Sequence, residues 1–440
     1  DDRDAVKGRG SIYADRDVSL LKRLEAGQDL YPHCDTSVWL RSCCQEVVDP
    51  LDGKVRVHLP HFCASRFAIG GGRVTYQSRF LKTQTYKRNM AAQRIVVTEF
   101  GTRSVPDPCQ TVFQRFDPKT LDTLDRVDVS KYVAIVNHTS HPHVLDDGTV
   151  YNLGMSVSVT GPLYSIIKFP PTFTFSRLIV VPQSGDGHSS KWRSMFEQAS
   201  IIGSVAARWP LHPAYMHTFG ITNNYFVIVE QPLSVSVPAV VRSHLLNEPL
   251  IANFKWYQDQ QTRIMLMQRT DGQLFKAFFA EAFFYLHIIN SYEEDNHVII
   301  DICCYKDATM LDCMYVDALM DIQKNPDYAR MFRARPLRFV LPLKDISSDT
   351  AAETNLVTLQ GTKATAYQLY DRKIFVYPEC LCDIGCETPR IYYEKYLGRP
   401  YRYFYAISSD VDAENPGTVS LKRYTSLIVN SINSFCAEFF

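Results

Sequence analysis

The 440-residue sequence has no uninterrupted apolar run approaching the ~18 residues a membrane-spanning helix needs, so no helical bilayer crossing is expected. It has no charge excess either. Lys plus Arg and Asp plus Glu stand at 47 each, so no basic stripe follows a phosphate backbone, and nucleic acid is excluded as an expected partner. The opening stretch, DDRDAVKGRGSIYADRD, is charged and lacks the apolar core of a signal peptide, which sets residues 1–29 apart as a charged arm. Disulfide-framework spacing is missing as well: twelve cysteines without small-domain spacing read as reduced thiols of a cytoplasmic protein. Within CLCDIGC, Cys380, Cys382 and Cys386 fit no zinc spacing, which favours structural thiols over a soft-metal site. Helical periodicity is scarce. Its clearest instance runs over 308–332, where Leu311, Met314, Tyr315, Ala318 and Leu319 recur at three- and four-residue steps.

What is present points to strands. Phe and Tyr number 25 each, which suits a strand-rich chain or one that lines an apolar pocket with rings. RIVVTEFG, KYVAIVN, YFVIVEQPL, HVIIDICCY, PLRFVLPL, NLVTLQG and KIFVYPE are short apolar runs bounded by Asn, Asp, Gly or Pro. Many short strands over several hundred residues predict a sandwich, barrel or propeller. No low-complexity linker interrupts them, so one large β domain is expected over 30–423, with an atypical tail at 424–440.

The histidines sharpen this reading. NHTSHPHVLDDGTVYNLG (137–154) places His138, His141 and His143 just before an Asp-Asp-Gly turn and a strand. His217 precedes an Asn-Asn turn and the strand YFVIV, and His287 precedes an Asp-Asn turn and the strand VIIDIC. Each therefore lies near the start of one arm of a hairpin, and the intervals between them are similar. Radially repeated hairpins that each project one residue toward a common axis describe a β-propeller. Three neutral imidazoles meeting there would suit a first-row transition metal. Taken singly, each histidine is more simply a core residue hydrogen-bonded to backbone; the shared spacing favours ligands.

These stretches resemble the carotenoid cleavage oxygenases, the family of the β-carotene oxygenases and the retinoid isomerase. The resemblance rests on DGTVYNLG, MHTFGITNNY and HIINSYE, and on VPDPC, DPKTLDTL, ARPLRFVLPL and CETPRIYYEKYLGRPYRYFYA. YPHCDTSVWLRSC, LHPAYMHTFG and AISSDVDAENPGT are similar to its insect isomerooxygenase branch in particular. The resemblance implies an all-β, seven-bladed propeller with Fe(II) on its axis and a dome of loops and helices over an apolar tunnel that faces a membrane. It places His141, His217 and His287 as iron ligands, and His138 and His143 as their neighbours. It places Glu387 as a carboxylate that accepts the free N–H of a ligand histidine. The implied reaction is cleavage of a carotenoid double bond by O₂ to retinal-type aldehydes, in visual-pigment biosynthesis, with trans-to-cis isomerisation of one half. The implied protein is cytoplasmic, attached peripherally to the membrane surface through the VPDPCQTVF region, where Cys109 is a conceivable acylation site. A retinyl-ester isomerohydrolase would share the same metal site.

The chain also departs from that pattern. No histidine follows His297, so the family's fourth ligand and its HGxF motif have no counterpart. The segments 58–80 and 109–123 join motifs that the family separates, the second of them around a strand that carries another supporting Glu. These joins read as skipped segments. They raise the alternative of a catalytically impaired isoform that at most binds carotenoid or a partner.

Overall fold

The computed structural model describes residues 37–42, 45–48, 55–58, 62–70, 73–92, 96–98, 105–106, 112–117, 120–171, 195–246, 248–315, 318, 333–344, 354–369, 371–383, 385–408, 420–425 and 438–439. Residues 1–29, most of 424–440 and Cys109 lie outside them. Where the sequence suggests one domain over 30–423, the structure has two compact units. One comprises Asp1–Val97 with Gln114–Arg126, the other Thr98–Phe113 with Val127–Phe440. In the first, Ser37–Ser42, Phe62–Gly70 and Arg73–Phe80 form an antiparallel sheet, followed by the helix Gln84–Ala92. The candidate site belongs wholly to the second unit.

That unit is a succession of antiparallel sheets in which sequence neighbours pair. The first runs Asn137–His138, Val150–Ser158, Gly161–Phe169, Ser200–Ala206, with His143–Val144 beside Val150–Ser158. The second runs Gly220–Ile221, Tyr225–Glu230, Thr262–Gln268, Leu274–Ala280, and is widened by Ile374–Tyr377 and Thr365–Gln368. The widening seam between Leu274–Ala280 and Ile374–Tyr377 is parallel. The third runs Phe284–Glu294, His297–Tyr305, Arg335–Pro342, Glu379–Cys380, and the fourth begins Glu387–Arg390, Tyr403–Ser408. Each of the first three has one of the histidines His141, His217 and His287 on or beside its opening strands.

The strand Tyr225–Glu230 shows why the sheets stack. Successive side chains on a strand point to opposite faces. Phe226 and Ile228 pack with Leu153, Tyr164 and Ile166 of the first sheet, while Val227 and Val229 pack with Tyr292, Ile299 and Ile300 of the third. With both faces covered, this strand reads as a continuous apolar run.

Two buried carboxylates tie the stack together. Glu230 accepts from the Tyr164 hydroxyl at 2.9 Å and the Arg208 N–H at 2.8 Å, with the Arg263 Nε at 2.8 Å. Asp301 takes a two-pronged contact from Arg338, both arms 2.8 Å, and a 2.5 Å hydrogen bond from the Tyr401 hydroxyl.

Several expected strands differ. KYVAIVN (131–137) leaves a 3-10 turn over Val129–Lys131 and runs as irregular chain until Asn137. Its Val133 and Ile135 are buried, yet ladder pairing begins only where the Val136 N–H meets the Met155 carbonyl. NLVTLQG is likewise irregular. The periodic segment at 308–332 starts as a 3-10 helix over Thr309–Met314, and residues 319–332 lie outside the described residues.

Candidate metal centre

Three hairpins deliver three histidines. His141 lies between Asn137–His138 and His143–Val144, ahead of the turn in which Gly148 takes φ +83°, a conformation that favours glycine. His217 lies on extended chain ahead of the tight Gly220–Ile221/Tyr225–Glu230 hairpin. Here Gly220 is required by space, since a Cβ would stand 2.8 Å from Ser291 Oγ of the third sheet. His287 is on the strand Phe284–Glu294, where the pairing register slips between Tyr285 and Ile288. A bulge of this kind re-aims a side chain, and this one falls on Leu286 and His287. The Thr218 hydroxyl fills the gap it opens: it donates to the Leu286 carbonyl at 2.8 Å and accepts the Ile288 N–H at 3.2 Å. The residue after His217 thereby fixes the backbone on both sides of His287.

Among the described residues, His141, His217 and His287 are the group whose nitrogens could hold a metal ion, all within 4.8 Å of one another. The Nε2 atoms of His141 and His217 are 3.1 Å apart. Two nitrogens each ~2.1 Å from one ion at right angles to each other would be separated by about 3 Å, so the spacing fits metal ligation. The rings are mutually inclined, at 48° for His141 and His217 and at 88° and 87° for the pairs with His287. Burial, then the neighbouring His287, lowers the His141 pKa to about 4, and the same causes hold His217 well below the ordinary imidazole value. Neutral imidazole is the form a metal needs.

Each outer ring nitrogen that can be followed has a partner. His287 Nδ1 is 2.6 Å from Glu387 Oε2, and the Thr388 N–H donates to the same oxygen at 2.5 Å. Thr388 adopts φ +48°, a left-handed conformation unusual for a β-branched residue, and so turns its N–H onto the carboxylate. Tyr305 lies beside Glu387; burial, then that charge, raises the phenol pKa. His217 Nδ1 instead meets the Tyr215 hydroxyl at 2.7 Å, and burial pushes that phenol up to about 12.

The two neighbours point elsewhere. His143 Nε2 is 2.9 Å from the Phe219 carbonyl and Nδ1 is 2.8 Å from the Tyr393 hydroxyl. The carbonyl can only accept, so Nε2 carries the proton and Tyr393 donates to Nδ1. His138 stacks flat on Phe113, with centroids 4.5 Å apart. Cys380 donates to the Cys382 carbonyl at 3.0 Å, and Cys386 faces Cys303 with sulfurs 3.3 Å apart. These thiols form no metal-holding group among the described residues. Sequence reasoning missed Tyr215, Tyr305, Thr218 and Tyr393; only Tyr215 left a signal, two residues before His217 on extended chain and so on the same side of it.

Stacked antiparallel sheets, the first three of which each bring one histidine to a cluster suited to a metal, are the features of an all-β protein of the propeller class. The same conclusion comes from relatives. Residues 110–432 match the family described as Retinal pigment epithelial membrane protein (RPE65). The carotenoid isomerooxygenase of Drosophila melanogaster is 40% identical over 92% of this chain and 82% of its own length. That of Galleria mellonella is 44% identical over 89% and 81%. Cobalt-substituted Synechocystis ACO superposes with a TM-score of 0.57 at 18% identity, over 92% of this chain and 78% of that one, and an ACO/RPE65 chimera gives the same figures. The fold is therefore that of the seven-bladed propeller oxygenases. The chain belongs to the RPE65/carotenoid oxygenase family and is an enzyme by that membership. The Drosophila alignment spans 530 positions although it covers 92% of a 440-residue chain, so the relative has internal segments that this chain lacks.

Proposed function

We propose that this protein is an Fe(II)-dependent oxygenase that cleaves a carotenoid double bond with O₂ to give retinal-type aldehydes, with isomerisation of one half. The observation that carries the reading is the convergence of His141, His217 and His287 within 4.8 Å, one of them backed by Glu387. His141 and His217 would hold the ion through Nε2, and so would His287, whose Nδ1 faces the carboxylate. Ferrous iron held by neutral imidazoles would supply the O₂ chemistry. Glu387 keeps the proton of His287 on Nδ1 and leaves the other nitrogen bare, which makes the imidazole a better donor. The hydroxyl of Thr218 keeps His287 at the angle its bulge sets. A carotenoid has no polar handle, so binding it relies on buried apolar area at roughly 25 cal/mol per Å².

The membrane surface is the second partner in this proposal. On the helix Val237–Leu246, Val237, Val241 and Leu245 recur every fourth residue and are 39%, 58% and 78% exposed. Leu246 and Leu211 extend this apolar stripe. Among the described residues no helix is long and apolar enough to cross a membrane. The reading is a peripheral attachment from the cytoplasmic side, tested by flotation with liposomes. Val241→Glu with Leu245→Glu should abolish flotation.

A chain that binds metal and carotenoid without turning over is the second reading, and its support is that the cluster holds three imidazoles among the described residues. Anaerobic loading with Fe(II), followed by carotenoid in micelles and O₂, separates the two. Aldehydes seen by chromatography support the oxygenase; iron bound without aldehydes supports the second reading; no iron uptake overturns both.

A further inference from the structure

We propose that Tyr215 is a positioning residue of the metal centre: its phenol oxygen accepts the Nδ1–H of His217 and so presents the bare Nε2 to the ion. The inference rests on the proposed metal site and concerns how one of its ligands is held. Its basis is the contrast between two histidines. His287 Nδ1 meets a carboxylate at 2.6 Å, whereas His217 Nδ1 meets a phenol at 2.7 Å. The orientation of the His217 ring is set on its other side, where Nε2 lies 3.1 Å from His141 Nε2. Nδ1 therefore points out of the cluster toward Tyr215 while Nε2 points in.

The phenol is anchored well enough for this role. The Tyr215 N–H donates to the Leu233 carbonyl at 2.8 Å, and its carbonyl accepts from Gln231 Nε2 at 2.9 Å. Gln231 in turn bonds the Tyr285 backbone, accepting its N–H at 2.9 Å. The ring stands edge-on to Phe254, with centroids 5.0 Å apart at 84°. One residue upstream, the Ala214 N–H donates to the buried Tyr164 hydroxyl at 2.8 Å. Backbone, ring and upstream neighbour are all fixed, so the hydroxyl has one place to be.

Proton accounting completes the argument. A phenol that accepts at oxygen still has its own hydrogen to donate. Tyr215 and His217 both line a cavity of about 200 Å³, whose wall includes Asn137, Thr139 and Ser140. A space of that size with polar walls is large enough for water, which would take the phenolic hydrogen. In metal-free protein the same hydroxyl can donate to Nδ1, which leaves the imidazole proton on Nε2 facing His141. Metal uptake at Nε2 then selects the tautomer whose proton is on Nδ1, and the hydroxyl turns toward the cavity so that its oxygen accepts that N–H. A rotating hydroxyl supports both states; an ionised carboxylate supports only the one in which Nδ1–H donates. Being neutral, the phenol enriches the imidazole less than Glu387 does, so its loss should cost less.

Co(II) is the probe, with binding followed through its visible absorption. The intact chain, Tyr215→Phe and Glu387→Gln are titrated in parallel. Loss of an outer partner typically weakens metal binding by ~10–100-fold. Tyr215→Phe should weaken Co(II) binding about tenfold, at the lower end of that range, with Glu387→Gln toward the upper end. Its Co(II) spectrum should shift, while the metal-free unfolding midpoint falls only by what one unmet buried ring nitrogen costs, because the ring and its packing remain. Co(II) affinity for Tyr215→Phe within twofold of the parent overturns the proposal. Failure of the parent itself to bind Co(II) overturns the metal-site reading, and the inference with it. A second measurement does not depend on the variant folding. In the Zn(II)-loaded parent with ¹⁵N-labelled histidine, the His217 signals should show Nδ1 protonated and Nε2 bare; the opposite tautomer overturns the inference.

Discussion

His287 and His217 reach the same small volume by different routes. His287 rides on the first strand of its sheet, and its angle comes from a bulge whose partners are a carboxylate, a left-handed Thr388 and the Thr218 hydroxyl. His217 sits on chain before its sheet begins, steadied by hydroxyl and amide groups from Tyr215, Gln231 and Tyr164. Behind each lies one buried ion group of different build. Asp301 meets a single guanidinium with two parallel bonds and one phenol, whereas Glu230 shares two guanidiniums, a phenol and a backbone N–H. The first side is specified by few strong contacts and the second by many weaker ones. Damage should therefore concentrate on the His287 side for stability and spread on the His217 side.

The largest break should come from Asp301→Ala. It leaves Arg338, whose side chain is 4% exposed, without its counter-charge. Removing one member of a buried pair costs ~3–5 kcal/mol, which urea unfolding would read as a lower midpoint. Glu230→Gln, which keeps an acceptor for Tyr164 and Arg208, should cost clearly less, and equal losses would dissolve the contrast. On the site itself, His217→Ala should weaken metal binding beyond the ~100-fold reached by loss of an outer partner, because a three-imidazole group has no spare donor. His143→Ala should leave bound metal within a few-fold of the parent, measured by elemental analysis after dialysis. Comparable loss in both would undo the ligand assignment.

Thr218→Val tests the bridge between the two sides. It strips the Leu286 carbonyl and the Ile288 N–H of their hydroxyl partner, and an unmet buried group costs ~1–3 kcal/mol. Metal affinity should fall as well, since the bulge would relax; a variant that lost stability alone would show that His287 holds its angle without Thr218. The smallest effect is a pH dependence of metal-free protein. His141 and His143 each titrate near 4 when folded against 6.5 for free imidazole, chiefly through burial. Between those values the unfolded chain binds protons that the folded chain does not. Stability should be full above about pH 6.5 and fall as pH drops toward 4. A flat unfolding midpoint across that window would show imidazoles open to water.

The same contrast explains what the amino-acid order disclosed. The hairpins were legible because each turn carries its own chemistry in Asp146–Gly148, Asn223–Asn224 and Asp295–Asn296, beside uninterrupted apolar strands. That His141, His217 and His287 might meet could be proposed from their common position before those turns. Glu387 came through family resemblance, since nothing local links it to a strand a hundred residues earlier. Tyr215 and Thr218 were passed over because their roles depend on which group the next sheet presents, a tertiary matter. KYVAIVN shows the reverse failure: its alternating burial satisfies the strand pattern, but Tyr132 and Val133 return their N–H groups to Val129 rather than to a neighbouring strand.

The parallel seam that widens the second sheet bears on the order in which the molecule assembles. Between Ala280 and Ile374 the chain builds nearly the whole sheet that carries His287, then returns to lay Ile374–Tyr377 against Leu274–Ala280. Hairpins close short loops quickly, but a pairing across so long a separation must first meet a large closure entropy. The seam is thus the slow contact, and it forms around a His287 sheet whose own strands are already neighbours. The outer edge of the second sheet should therefore close after the local hairpins that carry His217 and His287 have formed.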